Sequence, residues 1–236
     1  MPENPCNCSC VVLSRDPVVV TSLTYLLSVI LKCDVSAVTD PRDFVVGGGR
    51  NASLDVLFVY VDPSDQSAID LVRAMRDLEL STIVIALLKD LPDMGARMYE
   101  AGADDVVHWP ADLKEIALRL RHHMRESWSP GAEIDLAADW EAEAYITGRA
   151  GLTTAEAQIL RVLMAKDGQI VSRDELSMAV DARPWRHGDR KFDVHMAKIR
   201  QKLSEAFGEN VTVFTLRSRG YRLTTTGSML FASLPE

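Results

Sequence analysis

The chain has 236 residues, 47% of them hydrophobic and 25% charged, the composition of an ordinary globular protein with room for one large or two ordinary domains. Its net charge of −8 is divided unevenly: residues 1–150 carry 13 Lys+Arg against 24 Asp+Glu, and residues 151–225 carry 13 against 9. An acidic first part and a basic second part imply two domains with different partners, the basic one suited to nucleic acid. Neither secretion nor membrane insertion is indicated. The start, MPENPCNC, lacks a basic region followed by an apolar core, and the apolar run from Val18 to Leu31 is broken by Thr21, Ser22, Thr24 and Ser28. That run is also short of the roughly 20 residues a membrane span needs, so a cytoplasmic protein is expected.

Cys6, Cys8 and Cys10 open the chain as a C-x-C-x-C run, with Cys33 apart from them. Zinc sites favour C-x₂₋₄-C spacing with a second ligand pair. No second pair is evident, so no metal is assigned, and disulfides are not expected in a cytosolic chain. Strand-like and helix-like segments then alternate. CVVLS (10–14) reads as a strand, Val18–Lys32 as a helix, Val35–Val38 as a strand, and Leu54–Val61 as a strand buried on both faces. Helical spacing covers Ile69–Leu80, β-rich residues fill Thr82–Leu88, and a short helix (Met94–Ala101), a brief strand (Val106–His108) and a helix (Asp112–Met124) follow. This βαβα order predicts an α/β fold, a doubly wound five-stranded parallel sheet with helices on both sides. Gly47–Gly49 lacks a following Gly-Lys-Ser/Thr and reads as a loop rather than a phosphate cradle.

Ser-Pro-Gly at 129–131 marks a break. The boundaries read as a first domain over 1–125, a linker over 126–132, a second domain over 133–227 and a tail over 228–236. Trp140–Ile146 with the Gly148 turn reads as antiparallel strands. Thr153 with Glu156, and Ser172 with Glu175, form capping boxes that open two helices. A third helix covers Asp189–Phe207, and Val211–Leu216 with Tyr221–Thr224 forms a hairpin, completing an α+β winged helix-turn-helix layout. On a helical wheel Phe192, Met196, Ile199, Leu203 and Phe207 share one side. Lys191, Val194, Lys198, Gln201 and Lys202 share the other, a cationic face suited to a major groove. Asp193 and Arg200 lie on one flank, where an ion pair between them competes with a DNA role for Arg200. His195 sits on the border of the apolar face, where packing competes with a DNA contact. Arg217 and Arg219 at the hairpin tip suit a minor groove or its phosphates.

Residues 152–223 resemble the DNA-binding domain of the OmpR/PhoB response regulators, through LTTAE (152–156), VSRDEL (171–176), RKFDVHMAKIRQKL (190–203) and TLRSRGYRL (215–223). Ser218 stands where that family favours glycine, and Ala179-Val180 where a tryptophan is usual. The resemblance implies a double-stranded DNA partner. Lys191, Val194 and Lys198 would approach bases, with Gln201 beside them. Arg190, His195, Arg200 and Lys202 would contact backbone or support the helix, and Arg217 or Arg219 would enter the minor groove next to Tyr221. It also places residues 181–189 in a loop that can touch RNA polymerase.

Residues 10–125 resemble a receiver domain through AGADDVVHWP (101–110) and ELSTIVIALL (79–88). The resemblance locates the phosphorylation pocket and shows its usual groups replaced. Ser14 and Arg15, followed by Asp16, stand at the acidic pair that holds Mg²⁺. Tyr60 stands at the phosphoacceptor, Leu87 or Ala86 at the hydroxyl position, Trp109 at the lysine and Val106 at the aromatic switch. A phenol with pKa near 10 is a poor nucleophile without a base, and a hard cation needs more than one acid. Arg15 is expected to pair with Asp16 or Asp62, and Tyr60 to be a buried ring. The leading expectation is therefore a transcription regulator with no catalytic residues and no cofactor. It would act as a homodimer, independently of aspartate phosphorylation. In the family, dimers use the segments matching 93–101, 104–108 and 112–124, and Asp104 or Asp105 with Arg119 would pair across that interface. The alternatives are control by a ligand, by redox change at Cys6, Cys8 and Cys10, or by phosphorylation at Asp62.

Overall fold

The structure is a computed structural model; it describes residues 8–47, 54–61, 66–78, 80–89, 93–124 and 139–226. Asp62, Cys6, the expected linker 126–132 and the tail 228–236 lie outside the described residues. The described residues fall into two compact units, 8–124 and 139–226.

The first unit is a parallel sheet of β1 (Ser9–Leu13), β2 (Asp34–Val38), β3 (Val56–Val61), β4 (Ile83–Leu88) and β5 (Asp105–His108), in the order β2-β1-β3-β4-β5. Strands join through α1 (Pro17–Thr24), α2 (Pro41–Gly47), α3 (Gln66–Asp77) and α4 (Met94–Ala101), and α5 (Leu113–His123) follows β5. The centre strands are apolar throughout because helices cover both faces: Val56, Leu57, Phe58, Val59 and Val61 are all fully buried. On one face Leu57, Val59 and Val84 pack against Ile69, Val72 and Met98.

Two helical segments depart from the sequence reading. The helix expected over Val18–Lys32 is α-helical only to Thr24, and Tyr25–Ile30 continues as a π-helix. Leu31 N–H then bonds back to Leu26, and Lys32 turns the chain with φ of +57°. Helix α2 was not anticipated, although its signals are local: Asp40 accepts from the Arg42 amide and Pro41 takes the first helical position.

The second unit contains α6 (Trp140–Arg149), α7 (Thr154–Met164), α8 (Arg173–Asp181), α9 (Lys191–Phe207) and an antiparallel hairpin of β6 (Val211–Leu216) and β7 (Gly220–Thr225). The strands expected over Trp140–Ile146 are instead helix α6. Asp139 caps it by accepting from Ala142 N–H at 3.0 Å, and Glu141 and Glu143 lie in the first turn, where the helix dipole favours acids. Trp140, fully buried, made the segment look strand-like. Both expected capping boxes are present, at Thr153 and Ser172. A core of Leu160, Leu163, Leu176, Phe192, Ile199, Val213 and Leu223 joins three of the helices to the hairpin.

Candidate functional site

In the second unit the apolar stripe of α9 turns inward as the wheel requires: Phe192, Met196, Ile199 and Leu203 are at most 1% exposed. The opposite face is therefore held outward. Val194 is 54% exposed, and Lys198 and Gln201 are exposed beside it. Of the expected set, Arg190, Lys198, Arg217 and Arg219 are exposed and make no direct ion pair among the described residues, although the charge of Arg190 is felt by Asp193.

Other members of the expected set are committed to the fold. Lys191 Nζ reaches Asp181 at 2.5 Å. Lys202 Nζ reaches Glu156 Oε2 at 2.7 Å and the Gly151 carbonyl at 2.8 Å. Arg200 does not pair with Asp193; it donates to the Val213 carbonyl and to Thr215 Oγ1, each at 2.8 Å, and so ties α9 to β6. Asp193 instead accepts from Arg173 at 2.5 Å and from the Tyr221 hydroxyl. Tyr221, expected at the DNA surface, is fully buried with Arg173 4.8 Å above its ring. Burial, then the bond to Asp193, pushes its phenol up. It anchors the wing rather than lining a groove. His195 is half-buried, and its Nδ1 has no hydrogen-bond partner among the described residues.

The hairpin tip is built tightly. Ser218, where glycine was noted as usual, has φ of +60°, and Gly220 has φ of +133°. A Cβ on Gly220 would stand 2.1 Å from the Val171 carbonyl oxygen. That contact exists because Val171 and Tyr221 exchange backbone bonds of 2.8 and 2.9 Å, fixing the wing against the start of α8.

In the first unit the sheet's carboxyl edge carries the positions of the expected pocket. The register sets Tyr60 beside Leu87 and Leu87 beside Val107. Ser14, Ala86, Leu87 and Trp109 are buried, whereas Tyr60 is half-buried rather than a fully enclosed ring. Val106 packs partly buried against the core. Arg15 does not pair with Asp16. It is exposed, donates to the Thr39 carbonyl at 3.2 Å and lies 3.6 Å from Asp40. Asp16 caps α1 by accepting from Val18 N–H at 2.8 Å, and Ser14 Oγ accepts from Asp16 N–H at 3.0 Å.

Residues 148–223 match the family described as "Transcriptional regulatory protein, C terminal". The transcriptional regulatory protein CpxR of Escherichia coli K12 is 29% identical over 183 residues, covering 72% of this chain and 79% of its own length. The second unit thus carries a domain of that family, and the chain is similar to the OmpR/PhoB-type response regulators. A CpxR homologue of Haemophilus influenzae is 34% identical to this chain over 137 residues, 53% of it; the chain spans 60% of that relative's length. The crystal structure of a response regulator from Thermotoga maritima resembles it over 51% of this chain and 99% of that one, at 19% identity and a TM-score of 0.45. Among the described residues no helix is long and apolar enough to cross a membrane.

Two further clusters lie in the first unit. Across α4, β5 and α5, Arg119 closes on Asp105 of its own chain at 3.1 Å and on Glu115 at 2.7 Å, with His123 3.4 Å from Asp105. Burial raises the Asp105 carboxyl, but the bond from Arg119 and the Val106 amide outweigh it and leave it below the ordinary value. Asp104 accepts from Arg76 at 2.5 Å and from Val84 N–H at 2.7 Å. The pairing expected across an interface is thus made inside one chain. An open groove of about 590 Å³ runs beside Glu115, Leu118, Arg119 and His122. The second cluster joins Cys8, Cys10 and Cys33, all buried. Hydrogen bonds to Cys10 and Cys8, then burial, push the Cys33 thiol up. Spacing along the chain sets Cys33 apart from the C-x-C run and shows no second ligand pair. The parallel register of β1 and β2 brings Cys33 in.

Proposed function

We propose that this regulator recognises specific DNA sequences as a homodimer whose assembly does not depend on aspartate phosphorylation. The observation that carries the reading is the set of residues at the carboxyl ends of β1, β3, β4 and β5. Ser14, Tyr60, Leu87 and Trp109 offer one hydroxyl, one phenol and two apolar groups, and Arg15 is drawn aside to Asp40. Phosphoryl transfer needs a nucleophile, a metal held by acids and a cation that neutralises the moving charge. Among these positions there is no carboxylate nucleophile, no pair of acids and no lysine, and Asp16 is committed to the cap of α1.

On DNA, Lys198, Val194 and Gln201 would face bases in the major groove, where an apolar group meets a thymine methyl. Arg190 would approach phosphates, Arg217 or Arg219 would enter the minor groove, and Lys191, Arg200 and Lys202 would brace α9. His195 would pack at its border. Residues 181–189 would face RNA polymerase. The α4–β5–α5 face would carry the dimer, with Tyr99 (52% exposed) and Leu118 (38% exposed) as its apolar contacts. The Asp105–Arg119 pair would then be an internal brace rather than a cross-chain link. Two DNA-binding units on one assembly gain effective concentration for paired half-sites.

The test combines intact mass with sedimentation. After incubation with acetyl phosphate and Mg²⁺, the expected result is no hydroxylamine-labile adduct and an unchanged dimer at micromolar concentration. An adduct mapping to Asp62, or an untreated monomer that dimerises only on phosphorylation, refutes the reading.

A further inference from the structure

Three sulfurs converge at the amino-terminal edge of the sheet from two separate elements. Cys8 and Cys10 are two residues apart on an extended chain, so their side chains point to one face. Cys33 stands just before β2, where Asp34 N–H donates to the Cys8 carbonyl at 2.9 Å. The Cys8 and Cys10 Sγ atoms are 3.5 Å apart, and all three Sγ atoms lie within 4.8 Å of one another. The three residues are 3%, 1% and 6% exposed and form no disulfide. Met124 Sδ, at the end of α5, lies 3.7 Å from Cys8 Sγ.

We propose that Cys8, Cys10 and Cys33 form a three-thiolate site for a soft, thiophilic ion. The dimensions fit: sulfurs about 2.3 Å from a common centre stand about 3.8–4.0 Å apart, within the span the thiols already occupy. The donors fit as well, because thiolates and thioethers select soft ions over magnesium or calcium. Packing as small apolar groups accounts for the burial of cysteines. It does not account for three thiols meeting at one point from β1 and the turn before β2.

Burial ranks the ions. Three thiolates with Zn(II) leave one negative charge in the interior, and with Cu(I) two, which low-dielectric surroundings oppose. Arsenite leaves none: As(OH)₃ and three cysteine thiols form three As–S bonds, break three As–O bonds and release three waters, with no change of oxidation state. As(III) is therefore the preferred occupant. Met124 closes α5, so an ion that draws in Cys8 acts on the helix of the proposed dimer face. That coupling rests on the dimer reading, whereas the site does not.

The experiment uses the full reduced chain, titrated separately with arsenite, Zn(II) and Cu(I). Bound ion is counted by elemental analysis, and its neighbours are read by X-ray absorption on the wild-type protein. The expected result is one ion per chain with three sulfur neighbours, arsenite held most tightly. Binding should persist in Cys6→Ser and weaken at least about 100-fold in Cys33→Ala or Cys10→Ala, with circular dichroism showing that the variants fold. Absence of stoichiometric binding by all three probes, or binding that survives Cys33→Ala, overturns the site. Sedimentation with and without ion tests the coupling alone: an unchanged dimer equilibrium with the site filled overturns that link.

Discussion

Lys202→Met separates a bracing role from a DNA-contacting one. The Lys202 ammonium lies 2.7 Å from Glu156 Oε2, and the Glu156 side chain is only 4% exposed. Glu156 Oε2 keeps one other donor, the Thr153 amide at 3.0 Å. Methionine retains most of the stem and removes the charge. Breaking a buried pair from one side costs about 3–5 kcal/mol because the remaining charge is stranded. Here the Lys202 side chain is 29% exposed and water can enter, so a loss of about 2 kcal/mol is expected after that discount. Glu156→Gln in the Lys202→Met background should recover part of it, since the stranded charge is gone. The assay is urea unfolding of the full chain followed by circular dichroism, together with DNA affinity measured across a salt series. A brace predicts lowered stability with the salt slope unchanged. A phosphate contact predicts a slope shallower by about 0.9. Unchanged stability together with that shallower slope would refute the bracing argument.

Other substitutions probe the wing, the recognition helix and the ion pairs. Gly220→Ala places a Cβ 2.1 Å from the Val171 carbonyl at a φ of +133°; a loss of about 3 kcal/mol is expected, and a change under about 0.5 kcal/mol would contradict the close approach. Lys198→Ala should weaken DNA binding with some loss of base preference. Arg217→Ala or Arg219→Ala should weaken it more evenly across sequences; wild-type affinity in Lys198→Ala/Arg217→Ala would contradict the footprint. The bond from Lys166, followed by the Ser172 amide, lowers the Glu175 carboxyl to about 2. Because its folded value is depressed, its contribution is complete above the ordinary value of about 4.3 and is lost as pH falls toward 2. Urea midpoints of Glu175→Gln should therefore fall less than wild type between pH 5 and 2, and parallel curves would exclude the contribution.

The local signals and the tertiary partnerships differ in how far each was legible. The Thr153 and Ser172 capping boxes join groups three residues apart, so the sequence states them outright. The stripe through Phe192, Met196, Ile199 and Leu203 follows from the helical repeat. Motif resemblance left Leu87 or Ala86 at the hydroxyl position; the register pairs Tyr60 with Leu87 and Val59 with Ala86. Trp140–Ile146 misled because an aromatic and β-branched residues favour strands, and the Asp139 cap with its acidic first turn outweighs them.

What the sequence by itself determined is the order of most elements, α2 and α6 apart, and the buried faces, because these rest on neighbours a few residues apart. Only the tertiary structure decided the partners of the charged and sulfur-bearing side chains. Arg15 turns to Asp40 rather than Asp16, Asp193 joins Arg173 and Tyr221 rather than Arg200, and Cys33 meets Cys8 and Cys10. Each choice depends on which strands pair and how the helices seat on them. A side chain reaches only a few ångströms, and the fold alone decides what lies within that reach.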